Sequence, residues 1–241
     1  MKPYREIIIS KRNGNFRKIL IPNESLSHNL EKKRSFLQEC LDNLPCKSID
    51  HAFNKNKNCA TNAYQHLSSR FVLNIDITDF FQNITYDHLK KYFSKNDINI
   101  CLVENHLPQG FSTSPILSNF AMLTIDDSII TLLKNLDPSI IYSRYADDLT
   151  FSFNTESLKT PVLQVVSSIL FKNNLKINAK KTTFQDKKNG RAIITGIGVS
   201  FFDIHPTRKS LKKYRAAKHQ GNINSMIGLK EWCLCKTPIK H

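Results

Sequence analysis

The sequence predicts an α+β fold in which helices pack on one face of an antiparallel sheet. Three observations carry that expectation. Residues 71–186 read in the order strand, helix, helix, strand, strand, helix, strand, a split βαβ arrangement. Two of those strands, Ile140–Tyr145 and Leu149–Phe153, are joined by the tight polar turn Ala146-Asp147-Asp148. The composition is globular: 40% of the 241 residues are apolar and 23% are charged, which excludes a disordered chain. That length suits one large or two interlocked domains with a sizeable core.

Each element has a local reason. Residues 4–21 read as two strands, YREIIIS and FRKILIP, around a turn marked by Asn13-Gly14. Pro22 ends the second strand, and Asn23 or Ser25 can cap a helix that runs to about Leu44, before Pro45. Residues 46–59 are polar and basic and read as loop, and Ala60–Ser69 as a short helix. Phe71–Ile77 is rich in β-branched and aromatic residues, as strands are. A helix is expected around Tyr86–Phe93. A loop, LPQGFSTSP, then leads into a long helix over Ile116–Leu136, with Pro115 at its entrance and Pro138 beyond its end. Pro161–Phe171 reads as helix, residues 191–202 as a strand pair, and about Thr207–Gln220 as a helix.

Lys and Arg number 35 against 20 Asp and Glu, a formal charge of +15. Residues 172–219 concentrate the excess, with only Asp186 and Asp203 among their cations. A surplus of one sign points to a polyanion, nucleic acid before membrane. Asp126 and Asp127 interrupt the most apolar stretch, and MKPYREIIIS lacks the features of a signal peptide. The six cysteines share no repeated spacing, and the Cys233-x-Cys235 pair has no companion to complete a zinc site. Reduced thiols and a cytoplasmic location are the expectation.

Three carboxylates carry the chemistry. Asp76 lies inside the apolar run Leu73-Asn74-Ile75-Asp76-Ile77, where a charge is costly unless neutralised. Asp147 and Asp148 adjoin at a hairpin tip, where they repel and raise each other's pKa. A divalent cation resolves both problems, and hard oxygen donors suit Mg2+. Two such ions ~3.5–4 Å apart clamp the attacking and leaving oxygens of phosphoryl transfer. On charge alone the favoured reading is two solvated turn aspartates and one salt-bridged strand aspartate. The pair Asp126-Asp127 sits mid-helix, where neighbours diverge by ~100°, and has no metal role.

Tyr145-Ala146-Asp147-Asp148 resembles the Y-x-D-D signature of reverse transcriptases, and Asp76 to Phe81 resembles that family's first aspartate motif. Leu107-Pro108-Gln109-Gly110 with Thr113-Ser114-Pro115 resembles its nucleotide-binding loop. Arg17, Ile19 and Pro22 match R-x-I-x-x-P, and Asn178, Lys181 and Thr182 match N-x-x-K-T. Asn62, Ala63 and His66 resemble the N-A-x-x-H of retron enzymes, and Ile194-Thr195-Gly196 their V-T-G.

The resemblance implies a right-hand polymerase: fingers over 1–70, a palm over 71–190, and primer-grip strands with a short thumb over 191–241. It implies an RNA-directed DNA polymerase with two Mg2+ ions on Asp76, Asp147 and Asp148. Arg17, Phe81, Gln109, Gly110 and Lys181 take the deoxynucleotide, with Lys180 a rival to Lys181 and Lys11, Arg12 and Lys18 on the same hairpin as Arg17. Phe81 is the gate that excludes a ribose 2′-hydroxyl. Asn62, His66, Thr195, Gly196, Arg208, Lys212 and Lys213 are the expected RNA contacts. His66 also fits a satisfied core histidine. The implied partners are a structured noncoding RNA, its DNA product, deoxynucleotides and an effector protein of phage defence. One departure is Phe111-Ser112, where the family carries a small residue and proline. Reverse transcriptases of intron-associated or abortive-infection lineages, and a non-catalytic RNA-binding scaffold, are the other readings.

Overall fold

The computed structural model describes residues 2–10, 14, 16–44 and 49–235. It opens with the expected hairpin, β1 (Tyr4–Ser10) and β2 (Phe16–Pro22), in antiparallel register from Tyr4 opposite Pro22 to Ser10 opposite Phe16. Of the turn, Gly14 has φ +81°, whereas Lys11, Arg12 and Asn13 lie outside the described residues, as do Pro45 and Cys46. Helix α1 (Glu24–Asp42) is capped by Asn23, whose side chain accepts from the Leu26 amide at 2.9 Å. Helix α2 (Cys59–Tyr64) begins at an Asn58–Thr61 capping box and ends earlier than expected.

Strand β3 (Phe71–Asp76) follows as predicted. Single turns follow, α3 (Phe80–Asn83), α4 (Tyr86–Leu89) and α5 (Lys95–Ile98), and the helix expected around 86–93 is shortened to α4. Thr85 with His88 and Ser94 with Asp97 form separate capping boxes, so the backbone restarts at each hydroxyl. Then come α6 (Ser114–Leu136), β4 (Ile141–Tyr145), β5 (Asp148–Phe153), α7 (Lys159–Lys172) and β6 (Thr183–Asp186). Helix α6 is long and apolar enough to cross a membrane, but most of that stretch is buried in the protein. Asp126 is buried there and Asp127 exposed, so the adjacent acids do diverge.

The expected strand pair is a three-stranded sheet, β7 (Ala192–Ile194), β8 (Ile197–Val199) and β9 (Ile204–Pro206). Helix α8 (Arg208–His219) is followed by a helix the sequence did not announce, α9 (Ile223–Cys233). Gly221, at φ +65°, ends α8 in a Schellman turn: its amide donates to Lys218 and the Asn222 amide to Ala217. The Asn222 side chain then caps α9 by accepting from the Ser225 amide.

The chain forms two compact units that interleave along the sequence. The first takes Met1–Lys47, Thr78–Ile129 and Ile169–Lys176. The buried side chains of Leu30, Leu37 and Leu20 belong to it, with Phe93 edge-on to Phe120 at 4.8 Å. The second takes Ser48–Ile77, Ile130–Ser168 and Ile177–His241. It holds a four-stranded antiparallel sheet in the order β4-β5-β3-β6 and the smaller β7-β8-β9 sheet, with α2 packed on both. Tyr142 stacks on Phe151 at 4.8 Å, and Phe71 on Phe184 at 5.5 Å. This central sheet places the end of β3 beside the start of β5.

Candidate active site

In the second unit, Asp76 ends β3 directly opposite Asp148, which begins β5. The Ile77 amide donates to the Asp147 carbonyl at 3.0 Å, tying strand end to hairpin tip. Ala146 forms that tip at φ +57°, a backbone region that costs a residue with a Cβ about 1–2 kcal/mol. Burial, then Asp147, then Asp76 push the Asp148 carboxyl up to about 6, with Lys181 opposing them.

Lys181 arrives through the segment matched to N-x-x-K-T. The Asn178 amide donates to the Asp76 carbonyl at 2.7 Å, and the Lys181 and Thr182 amides both donate to the Asn178 carbonyl at 3.0 Å. That turn delivers the Lys181 ammonium 2.6 Å from Asp76 Oδ1. The hydrogen bond raises the Lys181 pKa and keeps the amine charged. Its rival Lys180 is exposed.

The acids fit a divalent cation in charge and donor type: hard oxygens at one strand end and hairpin tip, beside an ammonium that partly neutralises them. Among the described residues no three His, Cys, Asp or Glu side chains are already drawn around one point. The fit is therefore that of an open site, completed by substrate oxygens, and not of a closed protein cage. Asp76, Asp148 and Lys181 line a cavity of about 500 Å³ together with Tyr145, Thr195 and Trp232.

In the first unit, the Leu20 amide of β2 donates to the Gln109 carbonyl at 2.8 Å. A Cβ on Gly110, at φ +113°, would lie 2.3 Å from the Leu20 carbonyl oxygen, so only glycine allows this approach. Ser114 Oγ donates to the Pro108 carbonyl at 2.7 Å and closes the loop. The unusual Phe111 turns inward, buried edge-on to Tyr4 at 6.1 Å. Arg17 is exposed on β2, whereas Lys18 is paired with Glu6 at 2.9 Å. Phe80 is buried and Phe81 half-exposed beside it at 5.5 Å.

The residues expected at RNA divide. Asn62 and His66 are both 0% exposed, so neither presents an atom to RNA, and direct contact does not fit their burial. Ser143 Oγ donates to Asn62 Oδ1 at 2.6 Å, so it accepts from His66 Nε2 at 2.7 Å. His66 Nδ1 then accepts from Ser152 Oγ at 2.7 Å. Burial holds this neutral ring down to about 3. His66 is thus a satisfied core histidine that ties α2 to β4 and β5, the strands that carry the acidic tip.

Thr195 and Gly196 form the β7–β8 turn, at φ +44° and +80°, and reach the cavity. Arg208, Lys212 and Lys213 are exposed on α8, whose Ala217 faces inward. Lys187, expected on the basic surface, is buried instead. It donates to the carbonyls of His66, Leu67 and Ser200 at 2.9, 2.7 and 3.1 Å, and desolvation lowers it to about 8. Sequence reasoning passed over Trp232; its signal was a single tryptophan in a basic C-terminal stretch.

Residues 9–198 match the family described as reverse transcriptase (RNA-dependent DNA polymerase). The chain is 31% identical over 192 residues to the retron Ec86 reverse transcriptase of Escherichia coli, covering 76% of this chain and 59% of that protein. It is 26% identical over 249 residues to the retron Ec73 reverse transcriptase of Escherichia coli, covering 94% and 78%. The chain therefore spans less than two thirds of the Ec86 enzyme's length. Among solved structures, apo telomerase of Candida tropicalis, truncated from its C-terminal domain, superposes with a TM-score of 0.61 at 18% identity over 85% of this chain and 55% of that one. That likeness is one of fold.

Proposed function

The chain belongs to the reverse transcriptase family, of the bacterial retron type, and from that premise we propose that it is an RNA-directed DNA polymerase. It copies a structured noncoding RNA into DNA that stays joined to that RNA. The observation that carries this reading is the Asp76–Asp148 pair across β3 and β5, with the Lys181 ammonium against Asp76 in one open cavity.

Asp76, Asp147 and Asp148 would hold two Mg2+ ions; the chemistry such ions supply when bound is acidification of the primer hydroxyl and neutralisation of the leaving pyrophosphate. Lys181 keeps a proton at Nζ, next to those acids, for the departing pyrophosphate. Arg17 offers a planar fork to the triphosphate. Gln109 and Gly110 take the incoming nucleotide along a loop backbone that only glycine permits, and Phe81 excludes the ribose 2′-hydroxyl. The exposed cations of α8 hold nucleic-acid phosphates, a binding that weakens steeply with salt. Residues 1–70 serve as fingers, 71–190 as palm and 191–241 as primer grip and thumb. We place the enzyme in the cytoplasm, with an effector protein of phage defence as its partner.

The test is to purify the protein from its host with its bound nucleic acid. RNA joined to DNA through a branch is expected, and Asp147→Asn should retain the RNA and lose the DNA. Bound RNA without DNA on the wild-type protein overturns the proposal in favour of a scaffold.

A further inference from the structure

Strand β4, which leads into the acidic tip, is the end strand of the four-stranded sheet. Its inner side pairs with β5, from Ile141 opposite Ser152 to Tyr145 opposite Asp148. Its outer side is covered by three residues of the segment that the sequence presents as loop. Asp50 lies parallel to Arg144 there; the Arg144 amide donates to the Ile49 carbonyl and the His51 amide to the Arg144 carbonyl, both at 2.8 Å. The side chains meet as well, with Arg144 Nη2 3.1 Å from Asp50 Oδ2 and both residues buried. Asp50 is itself held, because its carbonyl accepts from Lys57 Nζ at 2.7 Å and from Asn54 Nδ2 at 3.2 Å. His51 Nδ1 lies 2.8 Å from Thr61 Oγ1, in the capping box of α2. Ser143, which bonds Asn62 and His66, points to the opposite face of the strand. Strand β4 is thus gripped on both faces and along its edge, just ahead of the tip.

We propose that Asp50 and Arg144 are a positioning pair, which fixes the outer edge of β4 and so keeps Asp147 and Asp148 against Asp76. This rests on the polymerase reading and adds to it two residues that touch no substrate; neither lines the acidic cavity. A buried ion pair is a poor source of stability, since desolvating two charges offsets their attraction and an apolar pair is often as stable. Geometry is the better reason for one here. The tip carries Ala146 at φ +57° and two acids that repel each other. Backbone in that region persists only where its surroundings over-determine it.

The Ile77 amide donates to the Asp147 carbonyl, so its hydrogen exchange reports whether the tip stays docked on β3. Exchange is followed on the full chain, in chelator and without nucleic acid. The double variant Asp50→Leu with Arg144→Met removes both charges together, and its Tm should stay within about 5 °C of wild type. Ile77 should exchange about tenfold faster or more, while Val72, paired with Ser152 deep in the sheet, keeps its protection. In extension of a DNA primer on an RNA template, kcat should fall about 10- to 100-fold, the cost of misplacing reacting groups by about 1 Å, with the primer and deoxynucleotide KM values within about twofold. A double variant with wild-type kcat and wild-type Ile77 exchange overturns the proposal. So does one in which Val72 and Ile77 lose protection together and Tm collapses, which would make the pair a stabiliser only. The wild-type protein gives a test that needs no variant. In low denaturant, exchange at His51 reports release of the edge, and Ile77 should exchange with it. His51 exchanging while Ile77 stays protected overturns the coupling. Wild-type protein that makes no DNA under any condition overturns the polymerase reading instead, and the exchange data still decide whether the pair holds the tip.

Discussion

Asp76 on β3 and Asp148 on β5 stand opposite each other in one antiparallel register, and the second carboxyl is held up to about 6 by burial and by its acidic neighbours. An unfolded aspartate titrates near ~3.9. Between those values the folded protein binds more protons than the unfolded one, so stability falls as pH rises through this window. The penalty is then present in full at neutral pH, unless a cation is bound. The arrangement favours function over stability.

Asp148→Asn should therefore stabilise the metal-free protein at pH 7 by about 1–2 kcal/mol, a Tm rise of roughly 2–8 °C for a chain of this size. The gain should vanish near pH 4, and DNA synthesis should be lost. Differential scanning fluorimetry in chelator at both pH values checks it. A variant less stable than wild type at pH 7 would show that the carboxylate is a structural asset.

Lys181→Ala should slow DNA synthesis at least tenfold, because it removes the ammonium 2.6 Å from Asp76 Oδ1. Lys180→Ala, one residue away, should stay within about twofold. Parallel single-nucleotide incorporation assays decide between them, and equal losses would mean that only the charge of the segment matters.

Phe81→Ala should raise ribonucleotide incorporation relative to deoxynucleotide, with folding intact, since the ring is half-exposed. Phe80→Ala removes a buried ring and should cost about 3–5 kcal/mol without opening the sugar pocket. Competitive incorporation with a denaturant titration separates the two. Unchanged sugar selectivity in Phe81→Ala would remove it from the gate.

His66 is neutral and held down to about 3, whereas an unfolded histidine takes its proton near ~6.5. The unfolded state therefore binds more protons between those values. Stability should fall as pH drops from ~6.5 towards 3, by up to about 1.4 kcal/mol per pH unit. His66→Gln should be less stable at pH 7 yet lose less between pH 7 and pH 5. Urea midpoints at the two pH values test it, and identical slopes would assign the acid sensitivity elsewhere.

Much of the architecture was legible along the chain because its causes are local. Asn23 caps α1, a short turn joins β4 to β5, and the apolar run of β3 has one carboxylate at its end. The acids were legible for the same reason: a charge among strand residues, or two at one tip, is anomalous without a cation. Short-range competition between caps was harder to weigh, and so the helix expected around 86–93 shrank to α4, with α3 and α5 as separate turns on either side.

Only the tertiary structure could decide the rest, because the deciding partners are remote. Ser143 and Ser152, 77 and 86 residues from His66, make it a core histidine and not an RNA contact. A contact 105 residues away selects Lys181 to pair with Asp76. Carbonyls from distant segments draw Lys187 out of the basic surface. The turn of Gly196 brings Trp232 to the acidic cavity, a meeting that no spacing in the chain encodes. The sequence by itself determined which chemical groups are present and which local segments carry them. Hydrogen-bond satisfaction across long loops determined which of those groups face solvent, and so which can reach a substrate.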